Sequence, residues 1–442
     1  LGHRVAIFLP LYRSVRRRGV ELAAAATGIT VPGFGSGFRV FRAPAEMDPA
    51  ELYLIEHDHF FDRPGLYGYG DDLERFSFFS RAVVEVLAAL DLECDVVHCN
   101  DWHTGLVPAY LRTLYIDQPR LRSAAAVFTI HNLAYQGRFP SSALPLTGLP
   151  WSVFHMDGVE YFGGINLMKA GIAFSNAITT VSPRYAQEIT TPEFGEGLDG
   201  LLRARAGDLH GILNGIDDQE WNPATDPYLT ADYDLTDLSG KRHCRETLLT
   251  ELLLPLPADT PLTAMVTRLS YQKGCDIVLG VADEILRLGV GFVLLGSGDS
   301  GLESGFRWFA GRSPDRVATR IGFDAALAHR IEAGADLFLM PSRYEPCGLN
   351  QMYSLRYGTV PVVRATGGLA DTVRDPDADP VRPNGFKFRR PWGTDLVQAL
   401  QRAVAAFRNR QRFERMMRTG MSEDFSWRAS ARRYSELYVG LR

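Results

Sequence analysis

Short, mostly apolar runs alternate with longer amphipathic segments along the whole chain. Runs of this length predict strands, and apolar residues at helical spacing between them predict helices. Nearly continuous apolar strands separated by helices are typical of parallel sheets covered on both faces. The pattern therefore predicts an α/β fold, and its occurrence as two series predicts two doubly wound domains. The predicted strands are Val5–Leu11, Val96–Cys99, Ala125–Ile130, Ala177–Val181, Leu262–Thr267, Gly291–Leu295, Val317–Ile321, Leu337–Met340 and Val360–Val363. The predicted helices include Ser80–Leu90, Asp276–Leu288, Ala325–Ala333, Leu396–Phe407 and a closing helix within Phe425–Leu441.

The length of the chain also favours two domains. It has 442 residues, and a single hydrophobic core rarely grows beyond about 250–300 residues. Turn formers between Asn214 and Pro223 place a boundary near residues 211–225, and Thr225–Gly240, which has little periodicity, is expected to be a linker or surface loop. If two such domains face each other, ligands bind in the cleft at the carboxyl ends of the strands.

Composition and charge exclude several classes of protein. The formal net charge of −5 argues against nonspecific nucleic-acid binding, which needs excess Lys and Arg. No apolar run reaches the ~18 residues of a membrane span, and no signal peptide is visible. The five cysteines are odd in number and none lies in a C-x-x-C pair, so we expect a reducing, cytoplasmic location without disulfides or structural zinc. The pattern says nothing about oligomeric state.

The first residue is Leu1 rather than Met, and the opening Leu-Gly-His-Arg-Val is typical of a helix end followed by a strand. A helix that ends at Gly2 begins before Leu1. We therefore expect the sequence to lack its natural start.

A pair of cations follows the predicted strand Leu262–Thr267. Arg268 and Lys273 lie in one loop, in the sequence Arg-Leu-Ser-Tyr-Gln-Lys-Gly. Two cations in a loop between a strand and a helix can hold a diphosphate, with Arg as a planar fork and Lys as a point charge. The alternative for the pair alone is a solvated basic loop.

A second cluster, Glu345-Pro-Cys-Gly-Leu-Asn-Gln351, follows the strand Leu337–Met340. A carboxylate there can accept hydrogen bonds from sugar hydroxyls or stabilise a developing oxocarbenium cation. Gly348 leaves backbone amides open at a predicted helix start, where an anion can bind. The alternative is an ordinary acidic loop before a helix.

Two glycine-containing loops follow other strands of the second half. Thr366-Gly367-Gly368-Leu369 comes after Val360–Val363, and Leu295-Gly296-Ser-Gly-Asp299 comes after Gly291–Leu295. Glycines at such positions allow a phosphate to approach the backbone closely. Each loop taken alone is equally well explained as a plain turn.

Polar and aromatic residues end two strands of the first half. Asn100-Asp101-Trp102-His103 follows Val96–Cys99, and a stretch from His131 and Asn132 to Gly137 follows Ala125–Ile130. An aromatic face can stack on a sugar while polar neighbours bind hydroxyls, but Asp101 can equally be a helix cap beside a buried Trp102. His103 and His131 lack a third ligand, so we predict no metal site.

These motifs, in this order and over nearly the whole chain, resemble those of bacterial glycogen synthases and plant starch synthases. The motifs are Asn100–His103, His131–Gly137, Asn214-Gly-Ile-Asp217, Arg268 with Gln272-Lys273-Gly274, Glu345–Gln351 and Arg364–Leu369. The resemblance implies the GT-B fold, α/β with two Rossmann-like doubly wound domains across a deep cleft. It implies an N-terminal domain 1–211 completed by the helix 425–442, and a nucleotide-sugar-binding domain 212–424.

The resemblance also implies an activity: retaining transfer of glucose from ADP-glucose to the non-reducing-end 4-hydroxyl of an α-1,4-glucan. ADP-glucose is then a substrate, and no cofactor is expected. Arg268 and Lys273 would hold the diphosphate, Glu345 the transferred glucose, and the carbonyl of His131 would face the anomeric carbon. The remaining implied donor contacts are Gln272, Asn214, Gly296, Cys347, Gly348, Leu349, Thr366, Gly367 and Tyr67, the last against the adenine. The implied acceptor or glucose contacts are Asp101, Trp102, His103 and Asn132.

One departure from the family pattern concerns the N-terminus. The family carries a Lys-x-Gly-Gly-Leu loop after its first strand, and that segment would precede Leu1. Without it, the sequence as given is expected to be poorly active. A second departure concerns the E-x7-E pattern of related retaining transferases. Tyr353 stands eight positions after Glu345, where that pattern has its second Glu, and this agrees with the bacterial synthases.

Two alternatives remain open at the level of sequence. One is a UDP-glucose-dependent transferase of the same fold, and another is a noncatalytic glucan-binding relative. A phosphorylase is disfavoured, because neither Lys273 nor Lys387 has the context of a cofactor-bearing lysine.

Overall fold

The computed structural model describes residues 1–16, 18, 22–35, 37–44, 50–90 and 92–441. The chain forms two units. The first comprises Leu1–Thr180, Gln187–His210 and the residues from Tyr434 onward, and the second comprises Val181–Ala186 and Gly211–Arg433. No helix within the described ranges is long and apolar enough to cross a membrane.

The strands are β1 Ala6–Pro10, β2 Ala23–Thr30, β3 Gly37–Arg42, β4 Glu51–Glu56, β5 Val96–Asn100, β6 Ala125–Ile130, β7 Arg138–Pro140, β8 Glu160–Tyr161, β9 Gly164–Asn166, β10 Ala177–Thr180, β11 Leu209–Gly211, β12 Leu262–Val266, β13 Gly291–Gly296, β14 Val317–Ile321, β15 Leu337–Met340, β16 Val360–Arg364 and β17 Phe386–Phe388. The α-helices are α1 Arg13–Arg16, α2 Asp58–Phe61, α3 Asp72–Ala89, α4 Leu106–Arg112, α5 Leu144–Thr147, α6 Leu167–Phe174, α7 Pro183–Glu188, α8 Asp199–Ala204, α9 Ser239–Glu251, α10 Cys275–Gly280, α11 Ala282–Arg287, α12 Ser300–Arg312, α13 Ala325–Gly334, α14 Asn350–Arg356, α15 Gly367–Thr372, α16 Gly393–Arg408, α17 Arg410–Met421 and α18 Trp427–Gly440.

The second unit is built on one six-stranded sheet in the order β14-β13-β12-β15-β16-β17. All five neighbouring pairs are parallel. Successive residues of β15 point into different cores, since Leu337 and Leu339 belong to one buried cluster and Phe338 and Met340 to another. Apolar cores on both faces explain why these strands have nearly continuous apolar sequences. The direction of strand addition reverses between β12 and β15, which is the Rossmann arrangement.

Within its described residues, the first unit contains three smaller sheets. Parallel pairing joins β5, β6 and β10, and β6 is fully buried. A second sheet, in the order β1-β4-β3-β2, is mixed, because β1 pairs parallel with β4 whereas β2, β3 and β4 pair antiparallel. The third, β7-β9-β8, is antiparallel. The expectation that the first predicted strand is covered on both faces is wrong for β1, where Leu9 is 46% exposed.

Two predicted helices differ from the observed ones. The segment 276–288 forms two helices, because the chain breaks at Val281 (φ −125°) after Gly280, and glycine is a weak helix former. The helix predicted from Ser80 begins two turns earlier, at Asp72. Its first turns carry Phe76, Phe78 and Phe79, which are all buried.

The segment Thr225–Gly240, expected to be a linker or surface loop, is in part an interior segment. Asp226 and Tyr233 are 2% and 4% exposed. The Asp226 carboxylate accepts hydrogen bonds from Tyr357 and lies 2.7 Å from His329 Nδ1, and the Tyr233 hydroxyl donates to the Tyr357 carbonyl. Long-range polar pairing of this kind leaves no periodicity in the sequence.

Two buried ionisable side chains, Lys241 and Glu332, lie close to this segment. Lys241 Nζ donates to the Ala333 carbonyl at 2.9 Å and to Thr359 Oγ1 at 2.7 Å. Burial lowers the pKa of Lys241 to about 8. Glu332 Oε2 accepts a hydrogen bond from Ser354 at 2.8 Å, yet burial raises the pKa of Glu332 to about 8. An acid buried in this way favours its protonated form.

Replacing Glu332 should therefore change how stability depends on pH. The folded-state pKa of Glu332 lies above its ordinary value of 4.5, so its contribution to stability is complete at low pH and is lost as pH rises to about 8. Relative to wild type, Glu332→Gln should gain stability across that window, by at most about 1.4 kcal/mol per pH unit. Thermal unfolding of both proteins from pH 5 to 9 measures the difference.

Glu246→Gln is the matched control, since Glu246 is exposed on α9. A Glu332→Gln difference curve as flat as that of the control would contradict the burial argument.

Candidate functional site

The sheet order brings several predicted loops of the second unit to one edge. Because β13, β12, β15 and β16 are parallel neighbours, the segments that follow them emerge side by side at their carboxyl ends. Two loops meet directly, since the Arg343 amide donates to the Gln272 carbonyl at 2.8 Å. We call the loops 267–274, 341–349 and 365–368 the three-loop group.

The centre of the three-loop group is a buried carboxylate next to a cation. Glu345 is 6% exposed, and its Oε2 lies 2.6 Å from Lys273 Nζ. Ser342 donates a second hydrogen bond, at 3.0 Å, to the same oxygen. Both partners use Oε2, so within the described residues Oε1 has no hydrogen-bond partner. Burying a carboxylate is costly unless it is paired, and Lys273 with Ser342 provides that pairing.

The other members of the cation loop differ in exposure. Arg268 is exposed and forms no ion pair with any residue in the described ranges. Gln272 is half-buried, and its Nε2 lies 3.4 Å from the Tyr344 carbonyl. Gly274 (φ +68°) permits close packing, because a Cβ there would lie 2.2 Å from the Pro341 carbonyl oxygen. The loop therefore has one free guanidinium and one ammonium held against Glu345.

A close backbone crossing joins the glycine loop to the Glu345 loop. A Cβ on Gly367 would lie 1.9 Å from the Glu345 carbonyl oxygen, and φ at Gly367 is +43°. The Gly368 amide donates to that same carbonyl at 3.2 Å. Thr366 is fully buried before α15. These glycines are thus explained by packing against the Glu345 backbone.

Cys347, Gly348 and Leu349 continue the Glu345 loop towards α14. Cys347 is buried beside Asn214, and burial raises the pKa of its thiol to about 12 even though the Asn214 amide hydrogen-bonds to it. Gly348 has φ +71°, and Leu349 is 36% exposed. The thiol is therefore protonated and unreactive at neutral pH.

Gly296 ends β13 against the neighbouring strand. A Cβ there would lie 1.9 Å from the Thr267 carbonyl oxygen. The position therefore requires glycine for sheet packing, independently of any contact with a ligand.

In the first unit, Asp101 has a strained backbone. Its φ of 56° and ψ of 177° lie in a region that is almost restricted to glycine. Its Oδ1 accepts the His131 amide at 2.9 Å, and its own amide donates to Thr129 at 2.9 Å. Burial raises the pKa of Asp101, opposed by His131 and by the amides of His131 and Asn132. Asp101 occupies the N-cap position of the short 3₁₀ helix Trp102–Thr104, but its side chain caps no helix amide.

His131 is oriented by its neighbour on the adjacent strand. Its Nε2 lies 2.9 Å from Asn100 Oδ1, and β5 and β6 pair in parallel so that Asn100 faces Thr129. Asn132 turns the chain behind it, because its Oδ1 accepts the Ala134 amide at 3.1 Å. His131 and Asp101 thus share one hydrogen-bonded corner at the ends of two strands.

The aromatic residues after Asp101 differ from the expected stacking surface. Trp102 is 8% exposed, and a Cβ on Gly137 would lie 2.4 Å from its ring. The ring is therefore packed as in the buried alternative, and a contact of Trp102 with a sugar stays a prediction. His103 lies between Trp102 and Tyr67, and burial lowers its pKa to about 4. The Tyr67 ring is 58% exposed.

Sequence reasoning missed Ser342 and Asn100, which hold Glu345 and His131. Asn100 opens the Asn100–His103 motif, whereas Ser342 lies before the Glu345–Gln351 motif, two residues after the predicted strand Leu337–Met340. Their sequence position gave a signal, but only the structure shows which atom each one contacts. Among the described residues, no group of three His, Cys, Asp or Glu side chains is arranged to hold a metal ion.

Two family models match this chain: "starch synthase catalytic domain" over residues 1–204, and "glycosyl transferases group 1" over residues 254–418. Together with the two Rossmann-like units, they define a two-domain glycosyltransferase. A glycogen synthase from an Anaeromyxobacter species is 51% identical over 100% of this chain and 92% of its own length. A glycogen synthase from Syntrophotalea carbinolica is 46% identical over 99% of this chain and 92% of its own length.

The chain belongs to the glycogen synthase and starch synthase family. A solved structure supports this: the catalytic domain of starch synthase IV from Arabidopsis thaliana, bound to ADP and acarbose. It superposes with a TM-score of 0.91 at 38% identity, covering 100% of this chain and 92% of the other. The predictions of family and GT-B fold class are confirmed.

The close crossing at Gly367 gives a direct test of the three-loop group. Gly367→Ala would force apart the backbones of Gly367 and Glu345, so we expect a loss of about 1–3 kcal/mol of stability and a clear loss of activity. Thermal unfolding and glucosyl transfer measure the two effects.

Gly311→Ala is the control, because no atom lies within 4 Å of a Cβ there and the position is inside α12. It should be neutral or stabilising by up to about 1 kcal/mol. Equal behaviour of the two variants would show that the crossing at Gly367 is not needed.

Proposed function

We propose that this protein transfers glucose from ADP-glucose to the non-reducing-end 4-hydroxyl of an α-1,4-glucan, with retention at the anomeric carbon. The observation that carries the proposal is the three-loop group, where the buried Glu345 carboxylate contacts Lys273 and Arg268 is free nearby in sequence. Support for the ligands comes from the Arabidopsis relative, whose structure holds ADP and acarbose.

In this proposal the cation loop receives the donor diphosphate. Cleavage of the glucosyl–phosphate bond leaves ADP, so negative charge grows on the diphosphate oxygens as the bond breaks. Arg268 offers a guanidinium fork, and Lys273 uses one of its three N–H donors on Glu345 and keeps two for phosphate. Donors fixed where charge develops stabilise the transition state more than the ground state.

Glu345 binds the glucosyl group. Its Oε2 is held by Lys273 and Ser342, and its Oε1 accepts a sugar hydroxyl. The fixed carboxylate also stabilises positive charge that develops on the glucosyl ring. Gln272, Asn214, Gly296, the loop from Cys347 to Leu349, and Thr366 with Gly367 line the donor side in this proposal.

The strained corner of the first unit serves the glucose and the acceptor. Asp101 and His131 present a carboxylate oxygen and an imidazole to sugar hydroxyls, and the His131 carbonyl faces the anomeric carbon. Strain at Asp101 supports a functional assignment, because such backbone conformations cluster at active sites. His103, Asn132 and the exposed Tyr67 ring complete the proposed contacts. We propose that the enzyme works in the cytoplasm, which its five free cysteines support.

The donor is tested by incorporation of labelled glucose into glycogen. We expect the full-length protein to use ADP-glucose in preference to UDP-glucose, because the ADP-bound relative is similar over the whole chain. The product should be an α-1,4 linkage, identified by debranching and chain-length analysis.

Preference for UDP-glucose would favour the other transferase. Glycogen binding without transfer from either donor would favour the noncatalytic relative and overturn the proposal.

Separate variants should divide chemistry from donor binding. Glu345→Gln keeps the size of the side chain and removes the charge, so kcat should fall strongly while ADP affinity changes little. Arg268→Ala should weaken ADP binding by about 1.5–3 kcal/mol through loss of a charge-assisted contact. Initial rates and calorimetric titration with ADP measure both.

The two variants are controls for each other, because each is expected to change a different parameter. Unchanged turnover in Glu345→Gln would remove Glu345 from the mechanism. Unchanged ADP affinity in Arg268→Ala would support the alternative that Arg268 is a solvated basic residue.

A further inference from the structure

Arg343 occupies the junction of the three-loop group. Its guanidinium makes a two-pronged ion pair with Asp276, with both N–O distances at 2.7 Å. The same guanidinium donates to the Tyr271 carbonyl at 2.7 Å and stacks on the Tyr271 ring, 3.5 Å from its centroid. Asp276 lies in the first turn of α10, immediately after the cation loop. The Arg343 side chain, which belongs to the Glu345 loop, thus contacts residues before and after Lys273 in the sequence.

The backbone of Arg343 extends these connections. Its amide donates to the Gln272 carbonyl at 2.8 Å, and its carbonyl accepts a hydrogen bond from the Arg364 guanidinium. Arg364 ends β16, directly before the glycine loop. Arg343 therefore contacts residues of, or adjoining, the two other loops of the group, and Glu345 lies two positions beyond it.

The ion pair favours the charged forms of both Arg343 and Asp276. Burial disfavours ionisation of Asp276, but the hydrogen bonds from Arg343 hold its pKa below the usual range. The Asp276 hydrogen bond in turn raises the pKa of Arg343. A planar fork matched to a carboxylate fixes orientation as well as distance, which a single-point contact does not.

We propose that Arg343 and Asp276 are positioning residues that hold Lys273 and Glu345 in register. The inference rests on the proposed transferase function and adds to it two residues that act through the cation and the carboxylate. Lys273 and Glu345 are contributed by separate loops, and their 2.6 Å contact depends on how those loops are aligned. Misplacement of reacting groups by about 1 Å is expected to cost on the order of 10²-fold in rate.

The test compares neutral substitutions of each partner. Arg343→Gln and Asp276→Asn should each lower kcat/KM for ADP-glucose on the order of 10²-fold. The double variant should be no worse than the more impaired single variant, because the partners act as one unit. Arg343→Lys keeps the charge and loses the fork, so it should be intermediate.

Arg330→Gln is the matched control. Arg330 makes the same two-pronged pair with Glu251, with both distances at 2.8 Å, and the side-chain exposures of 25% and 37% are close to the 20% and 40% of Arg343 and Asp276. It should leave kcat/KM unchanged, and its melting temperature should match those of the Arg343 and Asp276 variants.

Hydrogen exchange supplies a measure that does not need activity. Amides in residues 268–274 and 342–348 should exchange faster in Asp276→Asn than in wild type and in Arg330→Gln, with the rest of the second unit unchanged. A wild-type protein that transfers no glucose would overturn the proposed function and leave this exchange result to decide the positioning role.

Two results would overturn the positioning role. One is wild-type kcat/KM and wild-type exchange in Asp276→Asn. The other is loss of activity in Arg343→Gln with full activity in Asp276→Asn, which would mean that Arg343 acts on the substrate itself.

Discussion

Parallel pairing of β12 with β15 is the constraint on which the second unit depends. Its two strands are far apart in sequence, and their pairing places the cation loop next to the Glu345 loop. The contact between Lys273 and Glu345 cannot form without that pairing. Apolar residues on both faces of the sheet fix the register, because a slip by one residue would exchange the two cores. The positions of the polar residues at the edge of the sheet thus depend on the packing of apolar residues in the two cores.

The two units fix their polar residues by different physical means. In the second unit, glycines allow backbones to cross at distances that any side chain would prevent, as at Gly367 and Gly296. In the first unit, Asp101 keeps its side chain and accepts an unfavourable backbone conformation. Its carboxylate is then held by the His131 amide, which offsets part of the cost of the strain. Both devices reduce the freedom of polar groups before any ligand arrives.

The sequence was informative where the signal was local. Strands such as β6, β14 and β15 were predicted to the residue, because each is a short apolar run between turn formers. The mixed sheet of β1 to β4 was not foreseen, since β2 is Ala-rich and largely exposed and its pattern resembles neither a buried strand nor a helix.

For the residues of the candidate site, too, only the local features were predicted from the sequence. The positions of Glu345, Arg268 and Lys273 at strand ends followed from order along the chain, whereas the partners of those residues depend on which strands are neighbours. Burial of Trp102 was left open as one of two interpretations for a related reason, because Gly137 and Phe76, which cover its ring, come from other parts of the chain. Asp226 shows the same limit, as its partners lie more than a hundred residues away.

The course of the chain between the two units has a consequence for how this protein can be divided. Val181–Ala186 belongs to the second unit although the residues on either side belong to the first, and α18 begins in the second unit and ends in the first. Ser182 is anchored there through a hydrogen bond to Asp371, and Tyr438 is anchored in the first unit through His98. Neither unit is a continuous stretch of polypeptide, so no single cleavage releases one intact. Exchange of a complete unit between relatives would require several coordinated junctions, which favours inheritance of the two units together.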